Sequence, residues 1–452
     1  MIPKSVFEET MQRLDIVNIA SATIRQIVSL ASALEEYLGE RFVHLEMGNP
    51  GLPPSQVGIE AEKRALDAGC AQNYPNIAGI PELKKAGHEF LRAFLDIDIP
   101  ARCIVPTVGS MQGTFTMFLL MGQRLAGKDT ILFLDPGFPA QHNQVKLLGY
   151  QARSLDIHDC RGEALEDALE ELLADGRVTA IVYSNPNNPA WTNLTETELQ
   201  ILARMAEKYD VIIMEDLAYM GMDFRRRFGI PYCEPFIPTV AKYTDRFVLF
   251  VSGSKIFSYA GQRIAMVCMS PAVADRRYEF FEKFYEMPTF GDAYIYGVLY
   301  CASSGVAHSV QHAYAAMLRG AVEGKIDFVE NCRDYGHRAH RAKELFFDNG
   351  FHLVYAYDGA DNSHAISDGF FFTVGYPGMR GDELQSELLR YGIATISLPS
   401  TGSRQQGLRV CVSMLSDDDT FRLLEKRLRA FRADHPVVSG QAQECVAESV
   451  EP

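Results

Sequence analysis

Five short runs of apolar residues, at 130–134, 180–183, 211–214, 247–251 and 264–269, constrain what this chain can fold into more than any other feature. Each is uncharged throughout rather than alternating, so each must be covered on both faces, as the strands of a mostly parallel sheet are. Helical patterns near 162–174 and over 196–209 fill gaps between them, giving the β–α alternation of an α/β domain. In such sheets ligands sit beyond the carboxyl ends of the strands. Chemistry is expected there.

The runs end in polar clusters. After 247–251 come Ser252-Gly253-Ser254-Lys255, and Arg263 follows eight residues later. A lysine delivered at a buried strand end is a poor cation, and a lowered pKa is what Schiff-base chemistry with an aldehyde requires. Two serines and an arginine beside it suit an anionic phosphate. The 211–214 run ends in Glu215-Asp216 with Tyr219 three residues beyond, 180–183 leads into Ser184-Asn185-Pro186-Asn187-Asn188-Pro189, and 130–134 into Asp135-Pro136-Gly137-Phe138. Farther upstream, Gly109-Ser110-Met111-Gln112-Gly113 opens an apolar helical run at 114–121, and a helix start of small residues offers free N–H groups to an anion. Gly122 to Lys128 approaches a nucleotide-binding loop, but Asp129 stands where Ser or Thr is required and no strand leads in.

Asn188-Pro189, Asp216 to Tyr219, Ser252 to Lys255 and Arg263, in that order and spacing, resemble the class I/II aminotransferases among the fold-type I pyridoxal-phosphate enzymes. The resemblance covers nearly the whole chain. It implies pyridoxal 5'-phosphate held by Lys255, which also moves the substrate proton, with Asp216 on the pyridine nitrogen and Asn188 and Tyr219 on the phenolic oxygen. Ser252, Arg263 and the segment Gly109, Ser110 and Met111 would bind the phosphate, and Phe138 would stack on the ring. Tyr74 would reach the phosphate of the partner subunit in a homodimer. Gly48 would lie over the substrate, and Arg409 would fork onto its α-carboxylate, a role for which Arg404 competes from a loop context. Ala190-Trp191 replaces the family's usual Thr-Gly, so the only tryptophan adjoins the active-site loop, where it either fills space or narrows the substrate pocket.

The implied fold is α/β, with a large domain whose mostly parallel sheet is covered by helices and a smaller discontinuous α/β domain. Residues 1–72 are expected to contribute to the small domain, 73–311 to form the large one, 312–433 to complete the small one, and 434–452 to be a disordered tail. Apolar spacing predicts one amphipathic helix over 15–38, and Pro81 and Glu82 mark a helix start after the Tyr74 loop. Strands are expected at 369–374 and 408–412, and helices at 382–391 and 417–431.

Charge narrows the function classes. The net charge of −15 argues against a nucleic-acid surface, and Arg225-Arg226-Arg227, which no aromatic platform accompanies, reads as a solvated loop. Nine cysteines without a Cys-x-x-Cys pair fit a reducing cytoplasm. The first residues carry no signal-peptide pattern, and no apolar run is long enough to span a membrane. Three activities share this residue set: an aminotransferase between an L-amino acid and a 2-oxo acid, a carbon–sulfur lyase acting by β-elimination, and a non-catalytic cofactor-binding regulator. No arginine falls in 282–292, where dicarboxylate-specific members of the family supply a second one.

Overall fold

The computed structural model describes residues 1–360 and 364–437. Seven strands build the central sheet: β1 (Ile104–Thr107), β2 (Thr130–Asp135), β3 (Gln151–Asp156), β4 (Val178–Ser184), β5 (Ile212–Asp216), β6 (Phe247–Ser252) and β7 (Ala265–Met269). Their order is β1-β7-β6-β5-β4-β2-β3. The block from β3 to β6 is parallel, while β7 runs antiparallel to both β6 and β1. One edge therefore gathers the carboxyl ends of β1, β2, β4, β5 and β6 and the amino end of β7. Burial along the whole of β5, β6 and β7 explains their uncharged sequences.

The strand β3 was not legible beforehand. It lies at the sheet edge, exposes Gln151 and Ala152, and so carries no apolar run. The helix expected over 15–38 is shorter: a 3-10 turn at Ile19–Ser21 precedes a helix at Ile24–Leu38, and a separate helix occupies Lys4–Arg13. The break has a local cause. Asp15 adopts φ +53°, Asn18 Oδ1 accepts from Ala20 N–H, and Thr23 caps the later helix in a reciprocal box with Gln26.

A second, antiparallel sheet has the order β10-β11-β9-β8, from β8 (His352–Leu353), β9 (Phe371–Gly375), β10 (Ile396–Ser397) and β11 (Leu408–Cys411). The N-terminal segment joins this part of the chain. Val43–His44 pairs in parallel with Ile393–Ala394, and Ile2, Phe7, Ile27, Leu30 and Leu34 share a core with Leu389, Ala394 and Ile396. The helix His308–Val322 runs through the expected boundary at 311/312 and packs on the helices Gln56–Asp67 and Pro81–Leu95. The last helix extends to Asp434, and His435 still packs on Tyr391 and Phe431, so order continues past the expected start of the tail. The rest of that expectation, 438–452, lies outside the described residues.

Candidate active site

The polar clusters do converge. Because Ser184 pairs with Asp216, Ser252 with Ala265, and Thr107 with Ala265, the turns carrying Asn188, Asp216, Lys255, Arg263 and Gly109 leave one edge of one sheet side by side. Lys255 stands on the short helix Gly253–Ile256, which the Ser252 side chain caps by accepting from Ser254 N–H at 3.1 Å. Its amine donates to the Gly48 carbonyl and lies 5.4 Å from the centre of the Phe370 ring. Burial lowers its pKa to about 8.

Asp216 is buried with two amide donors, Gln141 Nε2 at 3.1 Å and Ala218 N–H at 3.1 Å. No cation lies within ion-pair distance of it among the described residues, and burial pushes its pKa up to about 6. Gln141 was not foreseen. The signal was available in the helix Pro139–Leu147, where two glutamines three residues apart, Gln141 and Gln144, share a buried face. Gln144 bonds to Thr114 and to the Met111 carbonyl, tying that helix to the preceding one, Gly109–Gln123.

At the start of the helix Gly109–Gln123, Gly109 has φ +66°, and a Cβ there would lie 2.5 Å from Arg263 Nη2. The guanidinium thus covers the glycine directly. Ser110 Oγ is buried and without a partner among the described residues, and Met111 is partly exposed beside it. Arg263, held by a bond from Nη1 to the Ala260 carbonyl, brings a cation to the same helix end. Phe138 is half-buried at the entry to Pro139–Leu147.

The remaining residues meet across the two sheets. Arg409, only 2% exposed, donates from Nη2 to the Glu46 carbonyl and from Nη1 to Asn188 Oδ1 at 3.4 Å, with its guanidinium 4.9 Å from the Phe371 ring centre. Arg404 is exposed, and its backbone N–H is fixed on Asp156. Of the two arginines, only Arg409 is buried beside the Asn188 turn. A Cβ on Gly48 would touch Phe371 at 3.5 Å and the Tyr219 hydroxyl at 3.8 Å, which places that loop against both rings. Tyr219 is buried among Trp191, Phe370 and Phe371, with ring centres 5.2–5.8 Å away, and burial raises its phenol pKa.

Trp191 is fully buried, donates Nε1–H to Ser367 at 3.1 Å, and has φ +63°. The left-handed backbone that a glycine would adopt is thus kept, and Gly369 leaves the ring its space, since a Cβ there would overlap the indole. Tyr74 is 93% exposed in the single chain. Arg225 is not merely solvated: it pairs with Asp223 and Asp358 at 2.6 Å each.

A large, mostly parallel sheet with its polar turns at one edge, joined to a smaller antiparallel unit, is the fold of the fold-type I aminotransferases. It is similar to an aspartate aminotransferase double mutant from Thermus thermophilus with a TM-score of 0.72 at 20% identity, covering 93% of this chain and 98% of that one. An aminotransferase from Mycobacterium tuberculosis is similar at a TM-score of 0.72 and 17% identity, over 91% and 96% of the two chains. The family model for aminotransferase class I and II matches residues 40–426, and the chain belongs to that family. Among curated relatives, an aspartate aminotransferase of Pyrococcus horikoshii is 29% identical over 252 residues, 55% of this chain and 60% of the relative. An LL-diaminopimelate aminotransferase of Natranaerobius thermophilus is 25% identical over 52% of this chain and 58% of its own length. These matches thus span about three-fifths of the relatives' length. Membership of the family implies use of pyridoxal phosphate. Among the described residues no helix is long and apolar enough to cross a membrane.

Proposed function

We propose that this protein is a pyridoxal 5'-phosphate-dependent aminotransferase that moves an amino group between an L-amino acid and a 2-oxo acid. The observation that carries the reading is the enclosed Lys255 amine, its pKa lowered by burial to about 8, at the same sheet edge as the buried Asp216 carboxylate, with the buried Arg409 reaching the Asn188 turn from the second sheet. The donor set fits the cofactor. The orphaned Ser110 hydroxyl, the Arg263 guanidinium over Gly109, and the free N–H groups of a helix start suit a phosphate, while Asp216 lacks a cation and suits a protonated ring nitrogen.

When bound, the cofactor supplies an electron sink that makes the Cα proton of an amino acid removable. Lys255 would hold it covalently through Nζ and, once released, take the Cα proton; a pKa near 8 suits an amine that must both accept and return a proton at neutral pH. Asp216 would hold the proton on the ring nitrogen, and Gln141 would orient that carboxylate. Gly109, Ser110 and Met111 would donate to the phosphate together with Ser252 and Arg263, Phe138 would stack, and Asn188 and Tyr219 would face the phenolic oxygen. Arg409 would receive the substrate carboxylate, beside the loop at Gly48 that packs against Phe371 and Tyr219. Tyr74 would complete the site of the partner subunit in a homodimer, for which its exposure in the single chain leaves it available. Eight cysteines among the described residues are unpaired, which favours a cytoplasmic protein.

Borohydride reduction of the cofactor-loaded protein followed by peptide mapping should place the pyridoxyl group on Lys255. A single turnover with amino acids, read by mass spectrometry, should yield one equivalent of 2-oxo acid and no ammonia. Label on another lysine, or steady ammonia release without an oxo-acid acceptor, would overturn the reading, the latter in favour of the lyase.

A further inference from the structure

Behind Arg409 runs a line of charged groups that the proposed reaction does not use. Glu46, two residues before Gly48, is wholly buried, and its backbone carbonyl accepts from Arg409 Nη2. Its carboxylate Oε1 meets His44 Nδ1 at 2.8 Å. Along this line, Glu46 Oε2 and Arg409 Nε are buried with no hydrogen-bond partner among the described residues. Burial lowers the Arg409 pKa, and its neighbours Cys411, Tyr219 and, as the smallest contribution, Glu46 oppose that lowering, while Lys255 is the other cation facing it.

On the far side, His44 Nε2 faces Glu35 Oε2 at 3.4 Å, and the His44 and Glu35 side chains are 23% and 32% exposed. The line therefore leads from solvent to Arg409. Both ring nitrogens face carboxylate oxygens, and only the doubly protonated imidazolium can donate to both. The His44 pKa is raised accordingly, first by the bond to Glu46 and then, against burial, by the charges of Glu46 and Glu35. Of the other elements nearby, the helix Asp418–Asp434 brings Arg427, whose charge is felt at Glu35 and Glu40, and the paired strand Ile393–Ala394 brings none.

We propose that Glu46 and His44 set the charge available at Arg409, so that a substrate α-carboxylate binds tightly while His44 is protonated and weakly once it is not. The inference rests on the functional reading above for what Arg409 binds. With His44 a cation, the Glu46 charge is matched and Arg409 meets the incoming carboxylate as a full cation. With His44 neutral, the buried carboxylate at Glu46 partly neutralises the guanidinium and repels the newcomer. The sign is fixed: His44 is charged below its raised pKa, so affinity is lost as pH rises through that value. Glu46 and His44 are positioning residues, acting through Arg409.

The test uses the full chain loaded with pyridoxal phosphate and 3-phenylpropionate, a carboxylate without an amino group, as probe. The His44 imidazole is titrated by NMR, its signal assigned by loss in His44→Gln. Reciprocity requires that a probe bound better by the protonated state raise the His44 midpoint, by about one unit for a tenfold change in Kd. Probe affinity should fall about tenfold across the transition, with the cofactor absorbance band unchanged in intensity. Glu46→Gln should bind tightly at all pH values, and His44→Gln weakly at all of them. A His44 midpoint indifferent to the probe, or a wild-type pH profile in Glu46→Gln, overturns the proposal. If Glu46→Gln does not fold, the wild-type titration and His44→Gln decide alone. A probe that shifts His44 in a protein that transfers no amino group supports this inference while the functional reading falls.

Discussion

A carboxylate buried at a strand end with only amide donors is costly to ionise until a cation meets it, and Asp216 is such a group. With its pKa raised to about 6, the folded protein holds this proton where the unfolded chain has released it. The stability contribution is therefore full below the unfolded value near 4 and is lost as pH rises through 6. Glu215, the preceding residue, is bonded to Thr239 and the Val240 N–H; burial raises its pKa to about 7, so it adds a second loss of the same sign up to that pH. Cofactor-free protein should become less stable from pH 4 to 7 in urea unfolding, and Asp216→Asn should recover on the order of 3 kcal/mol at pH 7, an upper figure for a two-unit shift. With cofactor bound the order should invert: Asp216→Asn should lose turnover by orders of magnitude and release the cofactor more readily. Equal stability of the two cofactor-free proteins at pH 7 would show that Asp216 is already neutral or solvated.

At the start of the helix Gly109–Gln123, the proposed phosphate site combines a glycine backbone with an arginine side chain laid over it. Gly109 takes a left-handed φ that disfavours any Cβ, and the Arg263 guanidinium occupies the space a Cβ would need. Gly109→Ala should leave the fold intact and weaken pyridoxal-phosphate binding by about tenfold or more in a fluorescence titration, because arginine and backbone can no longer approach the same anion. Undiminished affinity would separate Arg263 from the phosphate. The Asn188 turn shows the opposite solution. Trp191 tolerates φ +63°, and its indole is locked by Tyr219, Phe371 and the absence of a side chain at Gly369. Gly369→Ala should destabilise the protein by about 1–3 kcal/mol through overpacking, read as a lower urea midpoint, and perturb the tryptophan emission.

At the scale of the molecule, the candidate site joins two sheets and, in the proposed dimer, two chains. The Asp156 carboxylate at the end of β3 accepts from Tyr355 at 3.0 Å, Ser403 at 3.1 Å and the Arg404 N–H at 2.7 Å, so the two parts of the chain are pinned beside the site. Tyr74 has no role visible within one chain. If it serves the partner, Tyr74→Ala and Lys255→Ala should each be impaired alone, yet mixed after reversible dissociation they should recover activity. A hybrid dimer contains one site with both residues intact. No recovery, in a mixture shown by sedimentation to be dimeric, would confine Tyr74 to its own chain.

What the sequence determined by itself are the features written in neighbouring residues: the uncharged runs that became β2, β4, β5, β6 and β7, the polar residues a turn beyond the first four, and Arg263 just before the last. Burial on both faces demands the runs, and strand ends concentrate ligand groups, so both are visible without distant contacts. What tertiary structure decided are the partnerships across the chain. Gln141 reaches Asp216 from 75 residues away, Arg409 reaches Asn188 across 221 and Glu46 across 363, and only packing buries Arg409 beside these groups while leaving Arg404 exposed. Nothing local marks such pairs, because a side chain gains its charge environment only when packing removes water from around it.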